Sequence, residues 1–385
     1  MGQRGRADGD DAGIDDGDEV KRTILRRSGL LFLLLLTQLV CTRAFAEPYL
    51  AVRTGLACGA CHVNPSGGGL RTTFGDIYSQ TQMPQQQIDT GSHGLWTGNA
   101  GSLFRVGGNL RDDFTYIDTP NQKKSDSSGI DDFRLYAAVS LLEDRLNLYV
   151  DERIAPGGTQ NREAYGMLWF GQHRFYIKGG QFYLPFGLRL QDDEAYVRQA
   201  SAINYTTPDS GAEFGWIHGA WNAQIALTNG SAGAAESNQG KQVTTSAVYI
   251  RSGWRAGLSY SDNEATSGHR QMGAIFGGIR TGPIAWLAEA DYIADTSLSP
   301  HMDEYAGLLE ANWAFLRGNN LKLTAEFLDP AVHVAHDQRD RFSAIWEYTP
   351  IQFLQTRLGF RNYDGIPQND LQNRKEAFAE LHLFF

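Results

Sequence analysis

Ile284-Ala285-Trp286-Leu287-Ala288-Glu289-Ala290-Asp291-Tyr292 decides the fold. Successive side chains of an extended chain point to opposite faces. Ile284, Trp286, Ala288, Ala290 and Tyr292 therefore share one face, and Glu289 and Asp291 take the other. The same period of two recurs down the chain. Trp254, Ala256, Leu258 and Tyr260 oppose Arg255 and Ser259; Leu321, Leu323, Ala325 and Phe327 oppose Lys322, Thr324 and Glu326; Leu354, Thr356, Leu358 and Phe360 oppose Gln355, Arg357 and Arg361. From residue 101 onward, about sixteen such segments can be drawn, each closed by a turn cluster. They start near residues 102, 131, 146, 163, 174, 212, 220, 242, 254, 270, 284, 303, 319, 339, 351 and 374.

Alternation with one apolar face also describes a soluble sandwich. Three features favour a membrane barrel. Nearly every strand carries charge on its polar face, which suits a wet lumen better than a dry core. Trp169, Trp254, Trp286, Trp313 and Trp346 fall within or near strands, as interfacial girdles would. The chain also ends Glu380-Leu381-His382-Leu383-Phe384-Phe385, and a terminal strand finishing in Phe resembles the signal read by the outer-membrane insertion machinery. The expected fold is all-β: an outer-membrane antiparallel barrel of about sixteen strands in a Gram-negative-type envelope, seated in outer-membrane lipid. The longest interruption, roughly Leu188 to Ser210, is either an external loop or a segment folded into the pore. A formal charge of −10 offers no basic footprint for nucleic acid. After the N-terminus no run of about 18 apolar residues exists for a helical span.

The N-terminus reads as a targeting signal. Lys21, Arg22, Arg26 and Arg27 form a basic region, Leu30 to Val40 an apolar core, and Ala44-Phe45-Ala46 a cleavage site. Glu47 would be the first mature residue. Val40 sits where lipidation of Cys41 would call for a small residue, so Cys41 is expected to leave with the signal. Residues 1–19 are acidic and Gly-rich, which suggests that translation starts near Val20. The expected organisation is a leader and signal at 1–46, a haem segment at 47–100 and a barrel at 101–385.

The mature chain keeps two cysteines, Cys58 and Cys61, followed by His62. Cys58-Gly59-Ala60-Cys61-His62 is the C-x-x-C-H signature of covalent c-type haem attachment. Two thiols at this spacing reach the two vinyl groups of one porphyrin edge, and the next residue places a neutral imidazole under the iron. The other reading is a small disulfide beside an incidental His. For the sixth ligand His93 is preferred over Met83, and an open position is the third choice; a Met would raise the potential relative to a second His. Gly67-Gly68-Gly69 either lets the backbone pass close to a flat cofactor or forms a flexible loop. Arg53 and Arg71 are candidates to neutralise haem propionates, or are surface charges.

Arg53-Thr54-Gly55, the Cys58–His62 motif, Phe74-Gly75 and the terminal barrel together resemble the fused monohaem cytochrome c–porin family of outer-membrane iron oxidases. Gly179-Gly180-Gln181-Phe182 and Pro185-Phe186-Gly187 resemble a stretch of phosphate-selective-type porins. The family resemblance implies one covalent haem c plugging the lumen. It implies electron transfer between an extracellular donor or acceptor, such as Fe(II), and a periplasmic cytochrome. Asn64-Pro65-Ser66-Gly67-Gly68-Gly69 departs from the iron-oxidase pattern, which bears on the donor rather than on electron transfer itself. The reading from a different class is a diffusion porin for anions or small solutes with an appended haem module. Asp192-Asp193-Glu194 reads as a solvated acidic loop in preference to a cation-collecting mouth, and His333 and His336 beside Asp337 give a weak metal spacing. Nucleophile triads, Walker loops and dinucleotide fingerprints are absent, so any enzymatic role would be that of a metal oxidoreductase.

Overall fold

The computed structural model describes residues 47–89, 91, 94–236 and 238–385. The leader, signal, lipidation and translation-start expectations, and His93, lie outside the described residues.

Sixteen strands build the wall. They are β1 (Phe104–Asp118), β2 (Ser125–Leu141), β3 (Leu146–Ala155), β4 (Gln160–Phe170), β5 (Phe175–Phe182), β6 (Asp209–His218), β7 (Trp221–Thr228) and β8 (Gln242–Arg251). The second half comprises β9 (Trp254–Ala265), β10 (Gly268–Thr281), β11 (Ile284–Asp295), β12 (Met302–Leu316), β13 (Asn319–Asp329), β14 (Arg339–Ile351), β15 (Leu354–Asp364) and β16 (Lys375–Phe384). Each strand pairs antiparallel with the next, and β16 returns to β1 with Lys375 opposite Asp118 and Phe384 opposite Asn109. The sheet is closed and its main strands leave no exposed edge. Residues 219–220, 252–253, 282–283, 317–318 and 352–353 are tight turns at one end, while the opposite end carries longer connections such as 183–208 and 229–241. Short turns mark the periplasmic end of such barrels and long loops the external end.

The alternation orients the wall inside out. Leu258 and Ile275 are 60% and 68% exposed on the outer face, whereas Arg255, between Trp254 and Ala256, is buried inside. At the short-turn end the Tyr249 ring lies 4.9 Å from Trp221, edge to face, and 5.2 Å from Trp254, tilted. Near the other end Tyr292 and Tyr305, direct cross-strand partners, lie 5.1 Å apart. An apolar band bounded by aromatic rings belongs in a bilayer.

Charge ladders line part of the lumen, beside an apolar cluster that includes Leu184, Phe186, Leu188, Phe276 and Leu287. Lys322 on β13 meets Glu347 on β14 at 3.3 Å; Glu347 meets Arg357 on β15 at 3.5 Å. Arg357 meets Glu380 on β16 at 3.1 Å, and Glu380 meets Arg111 on β1 at 2.8 Å. Alternating sign across neighbouring strands lets each charge of this ladder find a counter-charge. Glu47 caps this ladder through Lys322, which ties the start of the described chain to the wall.

Of the two readings of the long interruption, the structure takes the inward one. Residues 183–208 fold into the barrel, and helix α4 (Tyr196–Ser201) packs on β11, β12 and β13. Asp192 is gripped by Arg341 at 2.9 Å and Arg361 at 3.3 Å, inside a second ladder that runs from Glu326 to Glu376. The preferred view of Asp192-Asp193-Glu194 as a solvated loop is thus corrected for Asp192, which has counter-charges on β14 and β15, while Glu194 stays exposed.

Candidate functional site

The C-x-x-C-H motif is placed by a short run of structure preceding the wall. Helix α1 (Pro48–Thr54) starts with Pro, whose fixed φ suits a first turn, and stops at Gly55 in the left-handed region (φ 73°). A Cβ at Gly55 would lie 2.4 Å from the backbone nitrogen of Ser252, so glycine is required there. Arg53 donates to the carbonyls of Pro283 at 2.5 Å and Asn312 at 3.0 Å. Neither earlier role for Arg53 holds. It is buried, and its guanidinium fastens α1 to the 282–283 turn and to β12 and is not free for a propionate.

Cys58–Cys61 forms a single helical turn, α2, closed by the His62 amide donating to the Cys58 carbonyl at 3.0 Å. The chain then folds back: Val63 N–H donates to the Leu70 carbonyl at 2.9 Å, and Thr72 N–H to the Cys61 carbonyl at 3.0 Å. Thr72 caps α3 (Thr73–Thr81) by accepting from Gly75 N–H, and its hydroxyl donates to the Ala60 carbonyl at 2.8 Å. A Cβ at Gly75 would sit 2.1 Å from the Cys61 carbonyl oxygen, which explains Gly75 in the Phe74-Gly75 pair.

The loop between these strands is bonded to the wall on three sides. Asn64 donates to Glu163 on β4 at 2.8 Å, Gln224 on β7 donates to Ser66 at 2.8 Å, and Leu70 N–H donates to the Tyr149 hydroxyl on β3 at 3.2 Å. Gly67, Gly68 and Gly69 all have positive φ (94°, 76° and 63°). A Cβ at Gly69 would lie 2.1 Å from the Tyr149 hydroxyl, and one at Gly67 would lie 3.1 Å from Cys58 Cβ. The triple glycine is therefore a close-approach device bonded to the wall, not a free loop.

Cys58, Cys61 and His62 line one cavity of about 1210 Å³, shared with apolar side chains including Leu50, Leu184, Phe186 and Val248. The two thiols are not joined to each other. His62 also borders a second, polar cavity of about 2680 Å³ that rises past Arg134 and Arg162 to Gln122 and Lys123 at the external end. The imidazole stands between the two spaces. Its Nδ1 is buried without a hydrogen-bond partner. Burial, and then the charges of Arg71 and Arg189, pull its pKa down to about 3, so the ring stays neutral. A neutral, partly unsatisfied imidazole one residue after two thiols is the donor set a c-type haem requires.

Cationic groups surround this cavity. Arg189, from the inserted loop, lies over the Tyr183 and Tyr205 rings at 4.4 and 5.0 Å and borders both spaces. Arg255 lines the apolar cavity with its Nε buried and unpartnered. Arg71 borders the polar side, over the Phe384 ring at 4.7 Å. Met83 is buried and lines the polar cavity with His62. Sequence reasoning missed Arg189 and Arg255. Arg255 was visible only as one lumenal residue among many, and no periodicity marks Arg189. The remaining candidates do not assemble. His333 is exposed and meets only Asp303 at 3.3 Å, and no group of three or more His, Cys, Asp or Glu residues able to hold a metal occurs among the described residues.

Solved outer-membrane porins share this architecture. A loop L8 deletion mutant of OmpT from Vibrio cholerae superposes with a TM-score of 0.59 at 11% identity, covering 74% of this chain and 100% of that one. An anion-selective porin from Comamonas acidovorans gives 0.56 at 11% identity, covering 73% and 99%. OmpF of Salmonella typhi, in complex with daunomycin, gives 0.58 at 11% identity, covering 73% and 97%. The chain is a sixteen-stranded barrel of the outer-membrane porin fold. No protein-family model matches it, and no curated protein matches it in sequence.

Proposed function

We propose that this barrel is an outer-membrane electron-transfer protein in which Cys58 and Cys61 attach one haem c and His62 ligates its iron. The observation that carries the reading is the position of His62 between an apolar cavity holding both thiols and a polar vestibule opening outward. Bound there, the haem would supply one-electron redox chemistry. The chain's own groups do the rest. The wall keeps lipid away from the site, and the hairpin from His62 to Arg71 fixes the imidazole. Arg189 and Arg255 provide positive charge for propionates, the role expected of Arg53 and Arg71. The vestibule admits an extracellular donor such as Fe(II). At the short-turn end α3 exposes Phe74 and Ile77 beside the motif, an apolar surface suited to docking a periplasmic cytochrome. Met83 borders the polar space with His62 and not the cavity that holds the thiols.

Cells expressing the full chain provide the test. Fe(II) added outside should reduce a c-type haem seen by absorption, and His62→Ala should abolish the signal. A haem that is present but never reduced by Fe(II) removes that donor. A chain without haem removes the reading.

A second reading, a porin for anions or small solutes, is favoured by the width of the vestibule and by the anion-selective barrel of Comamonas acidovorans. Conductance separates the two. The hairpin at residues 62–71 and the inserted loop occupy the lumen, so the electron-transfer reading expects little ion current through the purified protein, and the porin reading expects a large one.

A further inference from the structure

Helix α1 runs from the lumen to the short-turn end. Glu47, its N-cap residue, contacts Lys322 on β13, and its side chain is 12% exposed. At the other end Arg53 holds the Pro283 carbonyl and Gly55 lies against Ser252, both on periplasmic turns. Glu47 borders both cavities. A chain arriving at Glu47 therefore comes from inside the barrel, where the 62–71 hairpin and the inserted loop already sit. A leader kept on the chain, with its apolar run Leu30 to Val40, would have to share that space.

The charges around Glu47 do not balance. Glu347, Lys322, Glu310 and Arg357 are the charged groups that act on its carboxylate, so three carboxylates face two cations. Lys322 pairs with Glu47 and with Glu347 at 3.3 Å; Arg357 pairs with Glu347 at 3.5 Å and with Glu380 at 3.1 Å. Glu310 is left over. It is 4% exposed, accepts from Asn312 Nδ2 at 2.5 Å and forms no ion pair among the described residues. A buried carboxylate without a counter-charge is unfavourable. Cleavage by a signal peptidase after Ala44-Phe45-Ala46 supplies one. Water adds across the Ala46–Glu47 peptide bond, its hydroxyl to the Ala46 carbonyl carbon and its proton to the departing nitrogen. The products are a carboxylate on Ala46 and an α-amine on Glu47, which is protonated at neutral pH. An ammonium at the start of a helix opposes the macrodipole, so it too requires an anion nearby.

We infer that Glu47 is the processed N-terminus of the mature barrel, and that its α-ammonium lies inside the lumen as the counter-charge of Glu310. The pairing stands whether or not Cys58 and Cys61 carry a haem, so its failure and the failure of the electron-transfer reading are separate results.

The full chain, expressed with its leader and purified from outer membranes, provides the test. N-terminal sequencing should read Glu-Pro-Tyr-Leu. Acetylation of the α-amine, followed by mass spectrometry of the N-terminal peptide, should run about tenfold slower in the folded barrel than in urea, because a buried, ion-paired ammonium offers little free amine. Glu310→Gln should remove most of that protection, and Glu304→Gln, nearer the external end of the same strand, should leave it in place. Heat-dependent gel mobility verifies that each barrel is folded. A chain processed two residues earlier keeps Glu310 but displaces the amine, and should lose the protection even where Glu310→Gln does not fold. A mature chain that starts elsewhere would overturn the inference. So would equal acetylation rates in the folded barrel and in urea, protection that survives in folded Glu310→Gln, or protection that persists at the displaced amine.

Discussion

The wall and the chain that fills it are specified differently. In the wall, one rule repeated over sixteen strands sets the fate of every side chain, since parity sends Leu258 to lipid and Arg255 to the lumen. In the contents no residue inherits its place from a period. Arg53 is located by two carbonyls, Gly69 by one tyrosine hydroxyl and Asp192 by two arginines. The wall is therefore over-determined, while each contact of the contents acts alone. Single substitutions should act accordingly: graded by face in the wall, and local in the lumen.

The largest effect is expected from removing the thiols. Cys58→Ser/Cys61→Ser should lose haem-dependent staining on denaturing gels completely while the barrel keeps its heat-shifted mobility. Staining that persists would place any haem elsewhere. Loss of the mobility shift together with the stain would mean that wall and contents are not separable. Next in size is charge on the outer face. Ile275→Arg should destabilise the folded barrel in lipid vesicles by about 2–4 kcal/mol in urea titrations, as charges near a bilayer's midplane do. Ile275→Val should cost under about 1.5 kcal/mol. Equal costs for the two would mean that this face does not meet lipid.

How much was legible follows the same division. The expected strand starts at 146, 242, 254, 284, 319 and 339 coincide with the observed ones, because a period of two is a local property of sequence. The largest displacement is β2, expected near 131 and beginning at Ser125. Ser125-Asp126-Ser127-Ser128-Gly129 has no alternation of its own and is extended by pairing with β1. The Cys58–His62 motif was legible because covalent chemistry fixes its spacing. The inward fold of 183–208 was not, since the counter-charges of Asp192 lie on β14 and β15, about 150 or more positions away. Arg53 was ambiguous and Arg189 was missed for the same reason: an arginine's role depends on what faces it, and here that lies on distant strands or on the tyrosines stacked beside it.

Two smaller effects sharpen the account of the contents. Gly69→Ala puts a Cβ against the Tyr149 hydroxyl at φ 63°, and should cost about 1–3 kcal/mol. Tyr149→Phe removes the acceptor of the Leu70 amide but also the clash, so the double variant should be less destabilised than the sum of the two singles. Strict additivity in thermal melts would mean that the two groups do not meet.

The smallest effect expected is a pH slope at Asp76. Its carboxyl lies buried on α3, 3.5 Å from Arg105, and burial raises its pKa from 3.8 to about 6 against the pull of Arg71 and Arg105. Between these values the folded state holds more protons than the unfolded one, so stability falls as pH rises through that window. The contribution is fully present below pH 4 and lost by about pH 6. Hydrogen exchange at the Gln82 amide, which closes α3 onto the Tyr78 carbonyl, reads it locally. After correction for intrinsic rates, protection should decline from pH 4 to pH 6 in the native chain and stay level in Asp76→Asn. A decline that persists in the Asn variant would assign the titration to another group.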